Sequence, residues 1–80
     1  AFANALKAVT EVGTYGATKY TANGWLEVPE GIERYGEAKV RHQLAEMTGE
    51  EHDPDTGLRH AAHEAWNALA RLELIIRREK

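Results

Sequence analysis

Histidines are the residues of this sequence best suited to chemistry, and all four lie between positions 42 and 63. His42 precedes an acidic segment that contains His52 and Asp53, and His60 and His63 follow that segment. Residues three positions apart on a helix share a face, so His60 and His63 would project together. Imidazole nitrogens and a carboxylate are suitable ligands for a divalent metal. We therefore predict a metal site formed by His42, Asp53 and His63.

For each histidine taken singly, a structural role is the favoured alternative. His60 would then be exposed to solvent, His63 would pack against a neighbouring helix, and His52 would be an ordinary loop residue. The positions match no strict ligand spacing of the kind that identifies thiolate zinc sites.

Carboxylates on the second predicted helix provide another candidate site. Glu30 and Glu33 form an ExxE pair, and helix-borne carboxylates at this spacing can hold Mg²⁺, which prefers oxygen ligands. The alternative, which we favour for this pair, is a solvated helix face with cationic partners such as Lys39 and Arg41. Glu46 and Glu64 differ because they neighbour the histidines, and we predict them as catalytic carboxylates.

A third group surrounds the turn predicted after the first helix. Lys19, Tyr20 and Trp25 combine a cation with two aromatic rings, and Arg41 supplies a second cation. Such a set can hold a phosphate and stack a nucleobase. Alternatively, Tyr20 and Trp25 cover the end of a small core while Lys19 stays in water.

The elements that must position these groups follow from apolar residues that recur at steps of three and four, which is typical of amphipathic helices. The predicted helices span about 2–20, 30–48 and 58–78. Trp25 to Pro29 is expected to be a short extended link. Gly49 is suited to end the second helix, and Asp55 or Thr56 to cap the third. The predicted fold is all-α, a single three-helix domain.

The apolar residues exceed what three such helices can bury among themselves. The second helix is expected to bury, in part, Ile32, Tyr35, Val40, Leu44 and Met47. The apolar face of the third helix is expected to contain Leu58, Ala61, Ala62, Ala65, Leu69, Leu72, Ile75 and Ile76. The third helix also carries Trp66 and Leu74, which cannot face the same neighbours as Ile75. Excess apolar surface predicts assembly into a homo-oligomeric helical bundle, a dimer or larger.

Composition excludes several classes of protein. The 80 residues include no cysteine, which excludes disulfides and thiolate metal sites. The net charge of −3 argues against a protein that coats DNA or RNA. No apolar run approaches the roughly 18 residues that span a bilayer, so we expect a cytoplasmic protein without membrane partners.

Four stretches together resemble one protein family. The segment 14–20, TYGATKY, followed by Trp25, is similar to its FGAxKYgxxNW signature. Arg41-His42, Gly49-Glu50 and the segment 53–58, DPDTGL, resemble its RH…GE…DPETGL motif. The segment 60–69, HAAHEAWNAL, resembles its HLAHAxxNAL helix. The family is described as the dATP/dGTP diphosphohydrolase N-terminal domain; it occurs in phages and is grouped near the MazG-like nucleotide pyrophosphohydrolases.

The resemblance implies a compact, oligomeric phage protein in the host cytoplasm that cleaves purine deoxynucleoside triphosphates between the α- and β-phosphates. It also implies a divalent metal, Mg²⁺ or Mn²⁺. By motif position, Lys19 and Arg41 would contact phosphate, and Tyr20 and Trp25 would line the base or sugar pocket. The polar centre would consist of His42, Asp53, His60, His63 and Asn67, with His60 and Asn67 on the nucleotide. All these groups are expected to converge on one polar hollow.

Two alternatives remain open. Glu64 and Asn67 form an ExxN motif where MazG-like enzymes carry ExxD, and the missing acid removes a ligand that Mg²⁺ would use. The chain would then bind and sequester a nucleotide, or a cyclic nucleotide made by host defence, without cleaving it. The other alternative is a helical adaptor that binds a host protein through the apolar surplus of the third helix.

Overall fold

The computed structural model describes residues 1–19 and 21–80 and contains three α-helices. They are α1 (Ala3–Lys19), α2 (Gly31–Met47) and α3 (His60–Arg78). Within the described residues there is no β-strand, and a single isolated bridge joins His52 to Arg59. The all-α prediction is confirmed, and the predicted helices differ from α1, α2 and α3 by at most two residues at any end.

Helix α1 packs on α3 at a point where α1 has a glycine in place of a side chain. A Cβ atom added at Gly13 would lie 3.1 Å from Nε1 of Trp66. Val12, next to this glycine, is the buried residue of α1. The glycine therefore marks a close approach of two helices, which is one reason for a glycine to persist inside a helix despite its low helix propensity.

The link between α1 and α2 is not extended, and that prediction was wrong. Gly24–Glu27 forms a turn of 3₁₀ helix, and only Val28, before Pro29, has an extended backbone. Aromatic packing explains the difference. The Trp25 ring meets the Trp66 ring edge-on, with ring centroids 6.1 Å apart, and its centroid lies 6.5 Å from that of Tyr35. The Tyr35 hydroxyl also donates a hydrogen bond to the Trp25 carbonyl at 2.6 Å. The link is thereby fastened to both α2 and α3.

Helix α2 ends in a Schellman motif at Gly49, as predicted. Gly49 has φ +105°, and its N–H donates to the carbonyl of Glu46, while the N–H of Glu50 donates to Ala45. Helix α3, in contrast, begins after Arg59 without a side-chain cap, so capping by Asp55 or Thr56 was a wrong prediction. The reason is that the Thr56 hydroxyl is used within the loop, where it accepts the N–H of Leu58 at 3.2 Å.

The interior of the chain is small, and the predicted apolar faces of α2 and α3 are buried only in part. Among the described residues the buried hydrophobic residues are Val12, Ala62 and Ala70. The large hydrophobic side chains that remain exposed on α2 and α3 are Val40, Leu44, Met47, Leu69, Leu72 and Ile76. Three helices of 17 to 19 residues offer each other too little contact area to cover both sides of α2 and α3.

In the part of the chain that the structure describes, no helix combines the length and the apolar character that a bilayer span requires.

Candidate functional site

Three of the four histidines meet where α2 and α3 face each other. His42 of α2 and His60 and His63 of α3 are each at most 8% exposed. The His42 and His63 rings stack with centroids 4.4 Å apart and planes at 7°. Nδ1 of His42 lies 2.8 Å from Nδ1 of His60. The prediction that the imidazoles of these two helices come together is therefore correct, and His60 is buried, not exposed.

The loop between α2 and α3 brings oxygen atoms to this histidine cluster (His42, His60 and His63). An oxygen of Asp53 lies 3.8 Å from Nδ1 of His42. Its other carboxylate oxygen accepts the N–H groups of Asp55 and Thr56, at 2.7 and 3.3 Å, which fixes the side chain in a turn. His63 Nε2 pairs with the Thr56 hydroxyl at 2.7 Å.

Burial controls the charges of the cluster. It lowers the pKa of His42 from 6.5 to about 4, and neighbouring positive charges act in the same direction. Burial also lowers the pKa of His63. For Asp53, burial alone would raise the pKa, but the two backbone hydrogen bonds and the nearby histidines outweigh it and the pKa is lowered. At neutral pH, His42 and His63 are therefore uncharged and Asp53 is ionised, which is the protonation state that metal coordination needs.

The residues whose potential ligand atoms converge are His42, Asp53 and His60, with all three atoms within 4.8 Å of one another. The predicted set had His63 in place of His60. Because His60 and His63 are one turn apart, sequence spacing did not distinguish them. His63 also lies near Asp53, whose pKa it helps to lower, but its Nε2 is paired with the Thr56 hydroxyl. The predicted roles of these residues, as metal ligands or as nucleotide contacts, stay predictions.

A cavity of about 600 Å³ adjoins the cluster, and its lining includes His63 and Thr56. Three of the predicted nucleotide-binding residues, Lys19, Trp25 and Asn67, also line it. Asn67 is 6% exposed and donates a hydrogen bond to the carbonyl of His63. These residues therefore share one cavity, but its surface is mostly apolar and His42, Asp53 and His60 lie outside its lining, so a single polar hollow for all the groups was a wrong prediction.

The remaining predicted residues lie apart from this cavity. Arg41 lines an adjacent depression with the carboxylates of Glu33 and Glu37, and Asn67 borders both. Glu46 is exposed and Glu64 is half-buried, and neither side chain forms a hydrogen bond or ion pair with the described residues. Tyr20, predicted as a base-stacking residue, lies outside the described residues.

Sequence reasoning missed some residues that line the cavity or contact the cluster. Arg34 and Tyr35 of α2 line the cavity, but Tyr35 was assigned to the core and Arg34 belongs to none of the motifs. Glu50 accepts a hydrogen bond from His60 at 2.7 Å. Its place in the Gly49-Glu50 motif was a signal that could have revealed it.

Comparison with known proteins agrees with these motifs. A family model described as "dATP/dGTP diphosphohydrolase, N-terminal" matches residues 1–80. The chain belongs to this family. The family resemblance drawn from the sequence is thereby confirmed. Comparisons with curated proteins and with solved structures gave no match. Phage origin and cytoplasmic location stay predictions.

Proposed function

We propose that the chain binds a purine deoxynucleoside triphosphate in the 600 Å³ cavity and hydrolyses it to a monophosphate and pyrophosphate. The observation that carries this proposal is the combination of aromatic and cationic side chains around a space that reaches His63. Trp25, Tyr35 and Trp66 offer ring faces and edges to a base, and Lys19 and Arg34 offer positive charge to phosphates. Family membership supports the same substrate class.

The residues have distinct proposed tasks. The base lies against the aromatic group, which Tyr35 holds in place through its hydrogen bond to the Trp25 carbonyl. Asn67, anchored on the His63 carbonyl, positions a polar group of the sugar or base. The cations, including Arg41 at the adjacent depression, offset phosphate charge. When bound, a divalent metal such as Mg²⁺ or Mn²⁺ neutralises phosphate charge and activates water.

The proposed catalytic carboxylates, Glu46 and Glu64, do not line the cavity. Nucleotide binding should therefore survive their loss, and a fall in turnover alone would support the catalytic role that the sequence predicts for them. Glu64→Gln is expected to lower the rate of pyrophosphate release and to leave the dissociation constant for dATP within about twofold.

The proposal is tested by incubating the protein with dATP or dGTP and Mg²⁺ or Mn²⁺ and measuring pyrophosphate. Lys19→Met should weaken dATP binding about tenfold, because a charged contact to phosphate is worth roughly 1.5 kcal/mol or more. Lys7→Met is the matched control, since Lys7 is an exposed lysine of α1 outside the cavity lining. Equal effects of the two substitutions, or no pyrophosphate with either metal, would contradict the proposal.

Binding without cleavage is the second candidate, and one observation favours it. Among the described residues that line the cavity there is no aspartate or glutamate to hold a metal or to accept a proton from water, and the carboxylates of Glu33 and Glu37 line the adjacent depression instead. In this case calorimetry would detect binding of a nucleotide or a cyclic nucleotide, while pyrophosphate release would stay at the background rate. Such a result would replace the hydrolase with a sequestering protein.

We also propose that the protein acts as a homodimer in which a second copy covers the groove between α1 and α3. This groove is lined by apolar residues of both helices, including Val9, Leu69, Leu72 and Ile76. Phe2 and Leu6, both exposed, continue the same stripe of α1 at spacings of four and three. The chain exposes roughly 1,000 Å² more surface than a typical monomer of its mass, which is comparable to the area that one partner covers.

A further inference from the structure

His42, Asp53 and His60 have the features of a metal site that lies beside the nucleotide cavity and outside its lining. His42 comes from α2, Asp53 from the loop and His60 from α3, so their potential ligand atoms come from three segments of the chain. His42 and His60 are 6% and 4% exposed, and the side chain of Asp53 is 15% exposed. None of the three lines the cavity.

Glu50 fixes the orientation that coordination by His60 requires. Its carboxylate lies 2.7 Å from Nε2 of His60. Because an ionised carboxylate can only accept, Nε2 carries the proton and the lone pair of Nδ1 faces His42 and Asp53. A carboxylate that orients the far nitrogen of a histidine is the usual outer partner of a metal-bound imidazole.

The spacing of the ligand atoms requires only a small adjustment for a metal. The two Nδ1 atoms are 2.8 Å apart, whereas zinc–nitrogen bonds of about 2.0–2.1 Å at tetrahedral angles separate two nitrogens by about 3.3 Å. The Asp53 oxygen is 3.8 Å from Nδ1 of His42 and must move closer by a similar amount. The ligand atoms of Asp53 and His60 lie within 4.8 Å of each other, so each of the three pairs is within about 1.5 Å of the tetrahedral spacing.

We propose that His42 Nδ1, His60 Nδ1 and Asp53 Oδ2 bind a divalent transition metal that fastens the 48–59 loop to α2 and α3. Two imidazole nitrogens and one carboxylate favour metals such as Zn²⁺ or Co²⁺ over Mg²⁺, which prefers oxygen ligands. A metal in this position ties together three segments of a domain without cysteines and with few buried hydrophobic residues. The inference goes beyond the proposed function, because a structural metal here does not require hydrolysis.

Binding of the metal alone tests the site. Co²⁺ added to the metal-free protein should give visible d–d absorption bands, and Zn²⁺ at a hundredfold excess over its dissociation constant should raise the melting temperature by about 10–20 °C. Mg²⁺ at the same concentration should change neither. Absence of cobalt bands together with equal melting temperatures in Zn²⁺ and Mg²⁺ would overturn the proposal.

Variants distinguish this site from binding at the surface. Glu50→Ala removes the partner of His60 and should weaken Zn²⁺ binding about 10- to 100-fold. Glu51→Ala is the matched control, because Glu51 is the adjacent carboxylate and pairs with Arg59. The Glu51→Ala protein should bind Zn²⁺ with the affinity of the wild type. Asp53→Asn, which can still accept the two backbone N–H groups of the turn, should also weaken binding. Equal affinities in the Glu50 and Glu51 variants would contradict the proposal.

The outcome is independent of the nucleotide experiment. Zinc binding without pyrophosphate release keeps the metal site and removes the hydrolase. Pyrophosphate release in Mg²⁺ by a protein that binds no Zn²⁺ keeps the hydrolase and removes the metal site.

Discussion

Buried imidazole groups give the metal-free protein a stability that depends on pH. His42 is surrounded by His60 and His63 of α3, Asp53 of the loop and Arg41 of its own helix. Its pKa of about 4 lies below the value of 6.5 that the unfolded chain would show. Between these values the unfolded state binds more protons than the folded state, so stability falls as pH falls through this window.

The first prediction is therefore a loss of stability of the metal-free protein between about pH 6.5 and about pH 4. His63, whose pKa is also lowered, acts in the same direction. The measurement is the urea midpoint across this range in the presence of a chelator. His42→Asn should flatten the profile, and His52→Asn, at an exposed position, should leave it unchanged. A wild-type midpoint that rises on acidification would contradict the prediction.

At the scale of single residues, the sequence predicted which side chains come together better than it predicted the contacts between them. Four histidines and an aspartate in a short stretch predicted a cluster, and His42, Asp53, His60 and His63 do form one. The sequence did not predict which histidine nitrogens lie within ligand distance of the aspartate, because that depends on the backbone bonds of Asp53 to Asp55 and Thr56. Nor did it predict Arg34 in the cavity, since a lone arginine on a helix has no pattern that points inward.

At the scale of elements, the helices follow from local rules, and the departures from prediction come from tertiary contacts. The period of the apolar residues and the glycine after α2 predicted helix positions within two residues. The 3₁₀ turn at Gly24–Glu27 was missed because Trp25 is held by Tyr35 and Trp66, which are distant in the sequence. A residue before proline is extended by local sterics, and Val28 obeys that rule.

The two glycines inside α1 provide a prediction at this scale. An added Cβ at Gly16 has no neighbour within 4 Å, whereas one at Gly13 lies 3.1 Å from the Trp66 indole. That indole contacts the rings of Trp25 and Tyr35 edge-on, and a shift away from the added methyl group would disturb these contacts. Gly16→Ala should therefore stabilise the protein by about 0.5–1 kcal/mol through helix propensity, and Gly13→Ala should not.

Chemical denaturation of the two alanine variants measures this difference directly. Each variant is the control for the other, because both exchange a glycine for alanine in the same helix. If Gly13→Ala were as stabilising as Gly16→Ala, the close approach of α1 and α3 at Trp66 would not constrain the fold.

At the scale of the whole molecule, the chain exposes more surface than a folded monomer of its mass. Its accessible area is 5825 Å², whereas the usual relation between area and mass gives about 4,800 Å² for 8.9 kDa. The excess of roughly 1,000 Å² is comparable to the about 800 Å² per partner that a stable protein interface buries. One second copy would therefore account for the excess.

The position of that copy follows from the distribution of the exposed hydrophobic side chains. The larger group consists of Leu69, Leu72 and Ile76, which line the groove between α1 and α3, together with Phe2 and Leu6, which precede Val9 of the lining at helical spacing. The exposed stripe on α2 is smaller and consists of Val40, Leu44 and Met47. The larger group is the better dimer interface, because apolar area removed from water drives association.

The corresponding prediction is that sedimentation equilibrium finds twice the monomer mass of 8.9 kDa at micromolar concentration. Leu69→Glu, at a position 53% exposed in the isolated chain, should raise the dimer dissociation constant at least about 30-fold, because it places a charge in an apolar interface. Met47→Glu, on the α2 stripe and 72% exposed, should leave dimerisation unchanged. Circular dichroism should find both variants as helical as the wild type, since neither side chain belongs to the core.

A wild-type protein that stays monomeric would contradict the dimer and favour a partner of another kind on the same groove, as the adaptor hypothesis requires. Dissociation by Met47→Glu alone would instead move the interface to α2.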